Sequence, residues 1–203
     1  MATHAGDVDI DFADRTQALK FLDHVPAAII RNNTITRHNT GVYFHAVPID
    51  PLSGLASIHY ENAEQQGLYK LDLLNVYVYE KVKDEQHLLA LMSQPFDWNL
   101  LVHKEFTEQL IHLGNYAELI AELHPQSIQD IAMILALIRP GKRHLIDKCR
   151  AQGFDAIKDE IWKDSTDGGY SFHKNHAISY AMLVKVHANL LVEQAINDLD
   201  NHA

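Results

Sequence analysis

Residues 6–15, GDVDIDFADR, alternate strictly, with Asp7, Asp9 and Asp11 set against Val8, Ile10 and Phe12. Side chains on a strand point to opposite faces in turn, so this is the pattern of a β-strand with one acidic and one apolar side. It predicts a strand over 7–12 whose apolar set packs inward and whose acids share an exposed edge. Asp14 then caps a helix from Arg15 to about His24, with Ala18, Leu19, Phe21 and Leu22 as its apolar face, and Pro26 ends it. AAII reads as a short strand, RNNTITRHNTG as a polar loop or turn, and GVYFHAVPI as a second strand stopped by Pro48. DPLSG is a turn and LASIHY a short strand. GLYKLDLL is a strong strand, with Leu68, Lys70, Asp72 and Leu74 on one face.

The period then changes. VYVYEKVKDEQHLLALM drifts into helix, and WNLLVHKEFTEQLIHLGNYAELIAEL is helical with a break at Gly114. HPQSIQDIAMILALI carries Ser127 as N-cap and RPG as its stop. A last long helix starts near Asn175 and runs through HAISYAMLVKVHANLLVEQAINDL. Strands first and helices after describe an α+β protein, sheet-rich over 1–85 and helical over 86–203.

Composition narrows the function classes. The 203 residues suffice for one sizeable domain or two small ones, and 47% hydrophobic with 22% charged residues is ordinary for a globular protein. The longest apolar run, 131–138, falls far short of the roughly 20 residues of a membrane span. MATHAGDVD lacks the basic-then-apolar order of a secretory signal, so the expected setting is cytoplasmic, with no membrane partner. The lone Cys149 excludes an internal disulfide and a thiolate zinc site, and the 14 histidines are scattered, with no HExxH. A net charge of −10 argues against broad, sequence-independent nucleic-acid binding. Residues 139–150 are a local exception: Arg139, Lys142, Arg143, Lys148 and Arg150 stand against one acid, Asp147. On charge alone they read as a solvated helix face.

The chemistry concentrates on Asp72. A lone aspartate inside the apolar run LYKLDLLN is costly to bury, and Lys70 lies two residues away on the same face. Set beside the first strand, Asp72 joins Asp9 and Asp11 as three carboxylates on adjacent strands. Such a set can hold two magnesium or manganese ions about 3.5–4 Å apart for phosphoryl transfer, with Lys70 neutralising phosphate charge. A solvated edge strand with acidic side chains gives the same alternation without metal.

DVDIDF followed by a helix resembles the PDFDxDF motif of bacterial replicative DNA polymerases of the C family, the alpha subunit of DNA polymerase III. Further segments resemble that family in the same order. TRHNTGVYFHAVPI is similar to its KHAGGVVIAP, and QGLYKLDLLNV to its AGLVKFDFLGL. HPQSIQDIAMILALIRPG is similar to the stretch ending in ALFRPG, and GGYSFHKNHAISYAMLVKVHANLL to GYGFNKSHAxAYALxSYQTAWLK. The resemblance implies a polymerase-beta-like nucleotidyltransferase palm sheet followed by a reduced helical finger region. It implies that Asp9, Asp11 and Asp72 are the catalytic metal-binding aspartates, that Asp7 is not one of them, and that Lys70 sits by the phosphates. It implies nucleotide or DNA contacts for Arg37, His38, Arg139, Lys142, Arg143, Lys174 and His176. The partners it implies are a DNA primer–template and a deoxynucleoside triphosphate. Read without it, Arg139 is a helix-end cation and HKNH an ordinary helix start capped by Asn175.

The departures are large. The Gly-Ser motif that grips the triphosphate in the family has no counterpart, nor do the phosphoesterase-like, clamp-binding and C-terminal nucleic-acid-binding parts. Only the stretch 142–172 separates RPG from HKNH, and KHAGG has become RHNTG with one glycine lost. Arg15 has no safe match to a family arginine. So reduced a chain suggests a compact genome, such as that of a virus of bacteria. Two functions follow as expectations. One is a minimal polymerase that transfers nucleotides to a primer 3′-hydroxyl, with a replisome partner supplying missing surfaces. The alternative is a non-catalytic DNA-binding or replisome accessory protein derived from the polymerase core.

Overall fold

The computed structural model describes residues 8–163 and 172–201. Asp7 and the GGYS stretch at 168–171 lie outside the described residues. The chain divides into two compact units, Met1–Lys81 and Val82–Ala203.

The first unit runs β1 (Val8–Phe12), α1 (Arg15–Leu19), β2 (Val25–Arg31), β3 (Thr34–Tyr43), α2 (Tyr60–Gln65) and β4 (Leu71–Asn75). The strands form a mixed four-stranded sheet in the order β1-β4-β3-β2, with β1 parallel to β4 and the other pairs antiparallel. The protein is therefore α+β. The polar segment expected as a loop or turn holds a two-residue turn, but from Thr34 on it is strand, so β2 and β3 make a hairpin. Arg31 pairs with Thr34, and Asn32 and Asn33 between them both take positive φ, 48° and 61°. Asparagine tolerates that region, and a turn with two positive φ values matches the twist of its strands. The core here is small: Ala27, Ala28, Tyr43, Ala56 and Ala63, with Val25, Ile30, Ile35 and Leu68 against them.

Three expectations are corrected here. The apolar side of β1 does not pack inward: Val8 is 47% and Ile10 38% exposed. Among the described residues β1 is the edge strand, paired with β4 alone, so the sheet does not enclose it. α1 stops at Leu19 rather than near His24; Asp14 caps it by accepting the Thr16 N–H at 2.8 Å. None of its residues is buried, and an unpacked short helix has little to extend it. LASIHY makes isolated bridges, Ala28 to His59 and Ile49 to Ala56, and no strand.

The second unit is helical: α3 (Glu85–Ser93), α4 (Lys104–Thr107), α5 (Ala117–Leu123), α6 (Ile128–Leu137), α7 (Ile146–Gln152) and α8 (Lys174–Asp200). α6 is its centre. Every residue from Ile131 to Leu137 is buried, which is why the run is apolar all round, and α8 packs along it. Ser127 caps α6, its Oγ accepting from the Asp130 N–H at 3.1 Å. The helix expected over 98–123 with one break at Gly114 is interrupted earlier as well: α4 ends at Thr107, His112 takes φ 63°, and Gly114, where a Cβ would lie 2.5 Å from the Glu108 carbonyl oxygen, opens a 3-10 turn before α5. α8 begins one residue before Asn175; His173 is its N-cap, without a side-chain hydrogen bond, so Asn175 is not the cap. Among the described residues no helix is long and apolar enough to cross a membrane.

Candidate functional site

The register of the sheet assembles the site. Asp9 on β1 is the direct partner of Asp72 on β4, and Asp11 lies two residues further along β1. Parallel partners share a face, so the three carboxylates project from the same side. On its other flank Asp72 pairs with Gly41 of β3, and Lys70 precedes β4 on the same face. Asp72 is 7% exposed, a buried carboxylate at mid-strand as its apolar neighbours imply.

Both oxygens of that carboxylate are engaged. The Lys70 ammonium pairs with Oδ2, and the Thr40 hydroxyl donates to Oδ1 at 2.7 Å. Burial raises the Asp72 pKa, while Lys70 and Thr40 pull it down further, so the net shift is downward and the carboxylate is ionised. His38 Nδ1 lies 3.7 Å from Oδ1 but accepts the Gly41 N–H at 2.9 Å. That contact holds the ring beside Asp72, and the charge of His38 is the smallest of the pulls that lower the carboxylate. Gly41 makes room for the arrangement: a Cβ there would stand 2.7 Å from Lys70 Cδ and 3.0 Å from His38 Nδ1. The Tyr60 ring lies 5.6 Å from the Lys70 ammonium.

Asp11 is held differently. Nearby protein mass and the charge of Asp9 push its carboxyl up, and a hydrogen bond from Tyr79 opposes them. Arg15 stitches the strands beneath, its Nη1 donating to the Asn39 and Leu73 carbonyls at 2.6 and 3.0 Å. Burial and the neighbouring Arg37 lower its pKa, and Asp72 opposes them. Thr40, Tyr79 and Arg15 are thus site residues that the sequence reading missed. Thr40 sits just before the retained glycine of RHNTG, which is the one local signal for it.

The donor set suits a hard divalent cation, which takes carboxylate oxygens. The backbone brings three of them to one face, two in direct register. The side chains do not yet converge: among the described residues no three His, Cys, Asp or Glu side chains form a metal-ligating group. A cation nonetheless stands on Asp72, and it is the ammonium of Lys70.

Arg139, Lys142, Arg143, Lys174 and His176 belong to the second unit. The basic stretch there is largely spoken for. Lys142 is 3% exposed and donates to the Glu160 carbonyl at 3.1 Å, so it is not part of an open basic surface. Arg143 Nε donates to the Ile138 carbonyl, Lys148 pairs with Glu160, and Arg150 with Glu122 and Asp147. The Arg139 guanidinium stacks 4.9 Å from the Phe172 ring centre, and its buried Nε has no hydrogen-bond partner among the described residues. Close by, burial and Arg139 lower His112 to about 4. Phe172 also meets the His176 ring at 6.4 Å. Lys174 lines a cleft of about 580 Å³ with Trp162, Phe154 and Lys158.

The sheet and its carboxylate face define an α+β protein with a paired-aspartate edge. No protein-family model and no curated protein matches the chain.

Proposed function

We propose that the protein is a minimal nucleotidyltransferase of the C-family DNA polymerase kind, with a polymerase-beta-like palm sheet, acting on a DNA primer. The observation that carries this reading is the direct register of Asp9 with Asp72, with Lys70 beside them. Asp9, Asp11 and Asp72 would hold two magnesium or manganese ions. Bound there, the ions would supply Lewis-acid stabilisation of the attacking and leaving oxygens. Lys70 binds anionic oxygens of the nucleotide, because its charge and length suit a point contact to phosphate. Thr40 orients the Asp72 carboxylate through Oδ1. Tyr79 orients Asp11 in the same way. Arg15, which neighbours both Asp72 and Arg37, adds positive charge for the phosphates of the nucleotide.

The test is extension of a labelled primer–template with deoxynucleoside triphosphates in magnesium or manganese, comparing wild type with the double variant Asp9→Ala, Asp11→Ala. Metal-dependent incorporation lost in the double variant is the expected result. One observation favours the second reading, a non-catalytic DNA-binding or replisome accessory protein. Asp72 is already satisfied by Lys70 and Thr40 without any metal. That reading predicts no incorporation and equal DNA binding by both proteins.

A further inference from the structure

We propose that the cleft of the second unit binds a small zwitterion with an apolar body, of which a free aromatic amino acid is the simplest example. The ligand's carboxylate pairs with Lys174, its ammonium pairs with Asp159, and its side chain lies on the apolar floor. The inference goes beyond the nucleotidyltransferase reading, because the residues that line the cleft belong to the second unit, and Asp9 and Asp72 to the first.

The cleft is where the helical core comes to the surface. In the buried run of α6 from Ile131 to Leu137, Met133 is 8% exposed and the other residues 0%. Phe154, Trp162 and Ile178 pack against the same core and stay partly exposed. Together these four make a floor of a thioether, a branched chain and two aromatic rings. A thioether adapts to irregular shapes, and aromatic rings favour a further flat ring beside them. The rim at the end of α7 stays open. Gly153 turns the chain at φ 79°, and a Cβ there would meet nothing within 4 Å. The volume of about 580 Å³ lies within the roughly 300–1,000 Å³ of small-molecule sites.

The rim decides the charge of the ligand. Asp155 pairs with Lys158 at 3.3 Å, so those two charges offset each other. Asp130 is committed to the backbone, its Oδ2 accepting the Gln126 N–H at 2.9 Å. Lys174 and Asp159 are exposed, and no ion pair among the described residues engages either of them. An uncommitted cation and an uncommitted anion on one cleft match a ligand that carries both signs. A plain anion would leave Asp159 without a counter-charge, and a plain cation would leave Lys174 without one. Apolar walls strengthen such pairing relative to open water.

Calorimetric titration of the full chain tests this with L-phenylalanine as the probe. Its amide lacks the carboxylate, and its N-acetyl derivative lacks the ammonium. L-Phenylalanine should bind saturably, and each blocked analogue about tenfold more weakly, as the loss of a charged hydrogen bond implies. Lys174→Met should weaken L-phenylalanine about tenfold without weakening the amide. Asp159→Asn should weaken it to a similar degree without weakening the N-acetyl derivative. Both positions are exposed, so the substitutions leave the packing intact, and the analogue series on wild type stands without them. Absence of saturable binding overturns the proposal. So does equal or tighter binding of either blocked analogue, which would make the cleft a site for a simple cation or a simple anion. Binding of L-phenylalanine that neither substitution weakens overturns it as well, because the ligand would then sit elsewhere.

Discussion

At the scale of single residues, Gly41 shows how tightly the carboxylate cluster is packed. Its missing side chain is the space that Lys70 Cδ, His38 Nδ1 and Ala27 Cβ share, at 2.7, 3.0 and 3.1 Å from where a Cβ would be. Gly41→Ala is expected to cost roughly 1–3 kcal/mol, as overpacking does, and to shift Lys70 off Asp72. Urea denaturation and the acetylation rate of Lys70 measure the two effects. His112 makes a second prediction at this scale. Its folded pKa of about 4 lies below the ordinary 6.5. Between those values the unfolded chain binds a proton that the folded one refuses, so stability falls as pH drops through the window and levels off below about 4. The slope from this group is at most about 1.4 kcal/mol per pH unit, and its partial exposure keeps it lower. His112 sits at φ 63°, a conformation asparagine tolerates. Denaturation midpoints at pH 7 and pH 5 should therefore differ less for His112→Asn than for wild type. An equal difference would remove His112 from the acid sensitivity.

At the scale of elements, the β2–β3 hairpin brings Thr40 and Gly41 to β4, and its turn is Asn32–Asn33. Asn33→Gly suits the second position of such a turn and is expected to hold or raise stability. Asn33→Val forces a β-branched residue to positive φ and should cost about 1–2 kcal/mol. Thermal or urea melts distinguish them. This hairpin also marks what the sequence disclosed and what it hid. The buried aspartate, its lysine and the Ser127 cap were legible, because each depends on spacing within one element. β4 was legible for the same reason. The Asn-Asn turn was not recognised, because its polar residues resemble any loop until the pairing of Arg31 with Thr34 is known. The exposure of Val8 and Ile10 was illegible too. Alternation reveals two faces of a strand but not that β1 lies at the edge. Thr40, Tyr79 and Arg15 act across strands, and no local pattern announces a partner 32, 68 or 58 residues away. Lys142 was misread because charge runs suggest surface, while its stem and ammonium are buried against Glu160.

At the scale of the whole molecule, charge bears on the proposed contact with DNA. The net charge is −10, and the basic residues of 142–150 are paired or bonded within the fold. Counterion release from DNA therefore supplies little affinity by itself. DNA binding is expected to be weak in chelator and to strengthen in manganese, which offsets the carboxylate charge. Filter binding or fluorescence anisotropy at matched ionic strength measures this. Binding equally strong in chelator would point to a surface independent of the carboxylate face.

The central claim is that Asp9, Asp11 and Asp72 form a divalent-cation site. Heat denaturation with and without manganese at constant ionic strength tests it most directly, with wild type set against Asp9→Asn, Asp11→Asn. Ligand binding to the folded state adds about 2.7 kcal/mol at one hundred times the dissociation constant. Wild type should melt several degrees higher in manganese, and the double variant should not respond. Equal responses from both proteins, or none from either, would contradict the account.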